Sequence, residues 1–111
     1  MDKLNQYRVL IEEILGKYSE IKLSYGEIEI YPFFDRERDH YQIFEAGWNK
    51  YTRVFGPLIH IDILDGKIWI QHDGTEVGIA NELVELGIPK HDIVLGYHAK
   101  IMRQYDGFAV G

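Results

Sequence analysis

The sequence predicts an α+β fold in which helices lie against a four-stranded antiparallel meander. Three observations predict it. Apolar residues at helical spacing open the chain, alternating runs broken by turn residues fill its middle, and Gly87-Ile88-Pro89 stops a second helical stretch. A chain of 111 residues is most simply one domain over 1–111, large enough for a hydrophobic core of its own.

The first helix is expected from Lys3 to Tyr18. Leu4, Tyr7, Ile11, Ile14, Leu15 and Tyr18 recur at steps of three and four and form one stripe, with Asp2 placed to cap the N-terminus. Ser19 to Tyr25 reads as a connector. A strand follows at Glu27–Phe34, where Ile28 and Ile30 alternate with Glu27 and Glu29, and Pro32 makes it short or an edge. The charged run Asp35–Asp39 reads as a solvated turn. Strands two and three span His40–Trp48 and Arg53–Leu64, with Gly56-Pro57 suggesting a bulge.

Asp65-Gly66 is a strong hairpin signal, because a type I′ turn needs positive φ at both central residues. It leads into a fourth strand at Lys67–His72. Pairing Leu64 with Lys67 then sets Ile63 against Ile68, Asp62 against Trp69, Ile61 against Ile70, His60 against Gln71 and Ile59 against His72. The isoleucines share one face; His60, Asp62, Trp69 and Gln71 share the other.

Asp73 and Glu76 are spaced as a capping box for a second helix over Glu76–Leu86, with Val77, Ala80, Leu83 and Val84 facing inward and Gly87 ending it. Lys90–Asp92 suits one helical turn after Pro89. Ile93–Leu95 is a fifth strand or a packed connector. In the tail, Ile101, Met102, Tyr105 and Phe108 are placed for a short helix that packs down.

Composition narrows function. With 46% hydrophobic and 14% aromatic residues the chain is globular, and with no cysteine it has no disulfide, thiolate zinc site, iron–sulfur cluster or cysteine nucleophile. The N-terminus lacks the layout of a signal peptide, and no run approaches the ~20 apolar residues that cross a bilayer. A cytoplasmic protein with no membrane partner is the expectation. The net charge is −6, spread evenly: residues 1–50 carry 10 acids against 7 bases, residues 51–111 carry 8 against 5. Duplex binding rests on lysine and arginine displacing counterions, so this balance argues against direct DNA binding.

Candidate chemistry is sparse. His60 and Asp62 on one strand face have the donor types for a metal or for a base and its orienter, but need a third ligand. Gln71 is a poor one, and His40 or Asp39 serves only if strand two aligns suitably. A hydrogen-bonded polar patch is the simpler reading, with no metal and no cofactor. Asp62 with Asp65-Gly-Lys67 superficially resembles the carboxylate–lysine pattern of some nucleases, yet Asp65-Gly66 is fully explained as a turn. There is no phosphate-binding GxxxxGK[ST] loop and no GxSxG elbow; Ser19 and Ser24 are the only serines. No catalytic residue is assigned. The remaining candidate is an interaction face of His60, Asp62, Trp69, Gln71 and Trp48, exposed if helices cover only one side of the sheet, or covered by the tail from Gly96 onward.

The whole chain resembles the XisI family, the fdxN element excision controlling factor proteins of cyanobacteria. The stretches that carry this are YGEIE at 25–29, DHYQ at 39–42, GW at 47–48, HIDI at 60–63, DGKIWIQHDGTEVGIANELVELGIPK at 65–90, DIVLG at 92–96 and FAVG at 108–111. Tyr97-His-Ala-Lys-Ile-Met102 departs from the Pro-containing stretch of many relatives. The resemblance implies a non-enzymatic controlling factor for programmed excision of a DNA element, acting with a companion nuclease-like XisH-type protein and, indirectly, a site-specific recombinase. It supplies no active site to carry over. A small metal-dependent hydrolase or nuclease using the His60/Asp62 face is the alternative, and self-association through an exposed sheet face or edge is left open.

Overall fold

A computed structural model describes residues 2–20 and 26–111. The elements run α1 (Lys3–Ser19), β1 (Glu27–Asp35), β2 (His40–Asn49), β3 (Thr52–Leu64), β4 (Lys67–Asp73), α2 (Ile79–Glu85) and β5 (Ile93–Leu95), with 3₁₀ turns at Lys90–Asp92 and Lys100–Tyr105. Ser19 closes α1, and the rest of the expected connector, residues 21–25, lies outside the described residues. No described helix is long and apolar enough to cross a membrane.

Asp2 caps α1 as expected, its Oδ1 accepting the Asn5 N–H at 2.8 Å. The stripe turns Tyr7, Ile11, Ile14 and Leu15 into the core, with Leu4 and Tyr18 partly buried beside them. The sheet has the order β1-β2-β3-β4-β5. Its first four strands form the expected antiparallel meander; β5 adds a fifth, parallel to β4, after the α2 crossover. β1 is an edge strand, which suits Pro32. Against the helices the sheet presents Tyr41, Ile43, Ile59, Ile61, Ile63, Ile68, Ile70, Ile93 and Leu95, all buried.

Two bulges punctuate the meander. In β3, Phe44 pairs with Pro57 but Ile43 pairs with Ile59, so Leu58 is the extra residue, just past the expected Gly56-Pro57. In β4 the register runs as expected from Leu64↔Lys67 to Ile61↔Ile70, then shifts: His60 pairs with His72 and Ile59 with Asp73. The expected pairs His60–Gln71 and Ile59–His72 are therefore corrected by one residue. The shift moves up Asp73, whose carboxylate organises the loop into α2. Its Oδ1 accepts from the Thr75 N–H and hydroxyl at 2.9 and 2.6 Å, and its Oδ2 accepts from the Ile79 N–H at 2.8 Å.

α2 consequently starts at Ile79, not Glu76. Asp73 reaches its first turn through a loop folded around Thr75, and Val77, expected inside, is 65% exposed on that loop. The helix ends in a Schellman motif: Ile88 N–H donates to Leu83 O at 3.1 Å and Gly87 N–H to Val84 O at 3.0 Å, with Gly87 at φ +99°. The tail also departs from expectation. Lys100–Tyr105 is 3₁₀, whose threefold period breaks the stripe, so Ile101, Met102 and Tyr105 face water and Phe108 alone packs against the core.

Charged groups tie layers together. Arg8 grips Asp39 through Nε at 2.7 Å and a second nitrogen at 3.0 Å, and Arg36 pairs with Glu12, so the turn, exposed over Arg36–Arg38 as expected, is also tied to α1. Asp92 is buried beneath the start of α1, where it accepts from the Tyr7 hydroxyl and from Lys3 Nζ at 2.7 Å. Burial opposes its charge most strongly, but the bonds from Lys3 and Tyr7 prevail and hold the carboxyl below its ordinary value.

Gly87→Ala meets no atom within 4 Å and changes only backbone strain. It is expected to cost about 1 kcal/mol, read as a lower urea midpoint at unchanged slope. Asp92→Asn is expected to cost about 1–3 kcal/mol at pH 7. Because the folded carboxyl titrates below the unfolded one, its contribution is present at neutral pH and lost as pH falls below about 4. Urea unfolding at pH 7 and pH 3 checks this: the gap between parent and variant should shrink at pH 3.

Candidate functional site

Alternation along β3 that turns Ile59, Ile61 and Ile63 inward turns His60 and Asp62 to the opposite face. Asp62 sits at its centre, 8% exposed. Its Oδ1 meets His40 Nδ1 at 2.7 Å and His60 Nε2 at 2.9 Å, and its Oδ2 accepts from Gln71 Nε2 at 3.2 Å. Burial pushes the Asp62 carboxyl up, but the bonds from His40 and His60 outweigh it and keep it below the ordinary range. Asp62 is thus a fixed anion flanked by two imidazoles.

His40 arrives because β2 places it directly opposite Asp62. It is half exposed, and beside it a shallow cavity of about 310 Å³ opens between Phe33, Phe34, Gln42 and His60. Three potential ligand atoms from His40, His60 and Asp62 lie within 4.8 Å of one another. Asp65 occupies the hairpin turn at φ +51° and Lys67 pairs with Leu64, as the turn reading expects.

The same face continues toward the open end of the sheet as an aromatic surface. Phe44 meets Phe33 edge-on at 6.2 Å and Phe55 at 4.8 Å. The Arg53 guanidinium lies over Trp48 at 5.3 Å and over Phe55 at 5.1 Å. Phe33, Trp48 and Phe55 are each at least half exposed. At the other end the tail covers the face: Arg103 stacks over Trp69 at 5.1 Å, Gly111 lies against the indole, and Ala109 bridges to Val94.

The five residues expected to share a face do so, but they form two groups. His60, Asp62, Gln71 and Trp69 cluster around β3 and β4, with Trp69 beneath the tail. Trp48 lies eight residues along β2 from His40, about 27 Å away at strand rise, so the tryptophans do not meet. Sequence reasoning left His40 conditional and missed Phe33, Phe44, Arg53 and Phe55. Their signal was the alternation of β2, which puts His40, Gln42, Phe44 and Trp48 on one side.

The XisI protein family model matches residues 1–110. The chain is similar to a solved XisI-like protein from Anabaena variabilis, at 40% identity and TM-score 0.90, covering 98% of this chain and 100% of that one. It is also similar to the solved fdxN element excision controlling factor XisI from Anabaena variabilis, at 36% identity and TM-score 0.85, covering 99% and 100%. A comparison with curated proteins finds no match.

Proposed function

The chain belongs to the XisI family, and on that footing we propose that it is a non-enzymatic factor controlling programmed excision of a DNA element in the cytoplasm. It acts by binding a companion nuclease-like XisH-type protein, and through that protein it influences a site-specific recombinase. The observation that carries this reading is the uncovered aromatic surface of Phe33, Phe44, Trp48 and Phe55 with Arg53 stacked among them. Aromatic residues and arginine are the side chains enriched in the energetic centres of protein interfaces. Their rings lose little conformational freedom on docking, and strands hold them in fixed relative positions.

Charge supports a protein partner over a nucleic acid. With a net charge of −6 the molecule repels phosphate at long range, whereas a companion carrying basic, DNA-binding surfaces would be drawn to it. The sequence also lacks nucleophile and phosphate-loop motifs, which suits a factor that works by association.

Co-purification with the XisH-type companion tests the proposal, and no association at micromolar concentration overturns it. Phe55→Ser is expected to weaken the complex at least tenfold by calorimetry while leaving far-UV circular dichroism unchanged. Loss of self-association, with companion binding intact, would instead assign this surface to contacts between copies.

A further inference from the structure

We infer that His40, His60 and Asp62 form a binding site for one divalent transition-metal ion of the zinc class, a site that adjoins the aromatic surface at Phe33 but takes no ligand from it. Two imidazoles and one carboxylate are a donor set suited to zinc, cobalt, nickel or ferrous iron. Asp62 brings one negative charge to the site, which a dication more than offsets.

Geometry carries the inference. Around an ion with ligands at about 2.0–2.2 Å, neighbouring donor atoms lie roughly 2.9–3.4 Å apart. Here His40 Nδ1 and His60 Nε2 stand 2.7 and 2.9 Å from Asp62 Oδ1, so both nitrogens already converge on one oxygen from β2 and from β3. All three ligand atoms fit within 4.8 Å, and small side-chain rotations close the remaining edge. Each imidazole offers a lone pair on its inward nitrogen when the ring proton sits on the other nitrogen.

The surroundings suit a metal site as well. Gln71 holds the far oxygen of Asp62, which fixes the carboxylate orientation as supporting hydrogen bonds do around metal ligands. Asp62 is buried while His40 and His60 border the open cavity beside Phe33 and Gln42. An ion held by these three would keep its remaining positions toward solvent, available to water or to a ligand atom from another molecule. This is a binding site; no reaction is assigned to it.

Titration of the metal-free protein with Co²⁺ alone, followed by displacement with Zn²⁺, tests the inference. The expected result is one ion per chain at micromolar affinity or tighter, with visible cobalt bands that zinc abolishes. His40→Ala and His60→Ala should each weaken binding at least tenfold with circular dichroism unchanged; the half-exposed His40 makes the first variant safe for folding. His91→Ala, in a histidine 81% exposed beside Asp92, should leave binding as it was. No binding up to millimolar metal, or equal binding by the parent and the His40 and His60 variants, overturns the site. So would loss of binding in His91→Ala alone.

Discussion

Along β3, Ile59, Ile61 and Ile63 must all face the helices, and meeting that requirement decides where nearly every other feature goes. Full burial of one isoleucine is worth about 1.5–3 kcal/mol. A slip of one residue between β3 and β4 would turn the isoleucines of one strand into water, either Ile59, Ile61 and Ile63 or Ile68 and Ile70, a loss of about 3–9 kcal/mol. That is comparable to the whole stability of a typical domain. The core therefore enforces the register, and the register sets Asp62 on the far face beside His60.

The bulge at Leu58 completes this arrangement. From the turn at Asn49↔Thr52, the β2–β3 ladder runs regularly as far as Phe44↔Pro57. Continued without interruption, it would set His40 against Ile61 and Tyr41 against His60. One extra residue at Leu58 instead sets His40 against Asp62 and Tyr41 against Ile61. Tyr41 then enters the core, its hydroxyl reaching Asp39 at 3.0 Å, and His40 reaches the Asp62 carboxylate. Pro57, with no N–H to give the ladder, stands next to the break. A single backbone irregularity thus serves the core on one face and the histidine cluster on the other.

This explains what could be read from the chain. Elements with a strong local cause were legible: α1 from its stripe and the Asp2 cap, the β3–β4 hairpin from Asp65-Gly66, the end of α2 from Gly87. Features set by long-range geometry were not. A bulge near Gly56-Pro57 was foreseeable, but not that it adds a single residue to β3, which is what sets His40 against Asp62. The shift near Gln71, the late start of α2 and the 3₁₀ form of Lys100–Tyr105 likewise depend on tertiary contacts. Trp48 and Trp69 were placed on the correct face, yet their separation and the cover over Trp69 required the path of the tail.

The face opposite the helices thus has three zones: the tail-covered end at Trp69, the His40–His60–Asp62 cluster, and the open aromatic end at Trp48, Arg53 and Phe55. We propose that this last zone receives the companion protein. Chemical-shift mapping on the ¹⁵N-labelled 13.0 kDa chain, titrated with unlabelled companion, tests it most directly. Perturbations are expected to concentrate on Phe33, Phe44, Arg53 and Phe55 and on the Trp48 indole N–H. Perturbations confined to the exposed faces of α1 and α2, or to the tail around Trp69, would contradict it.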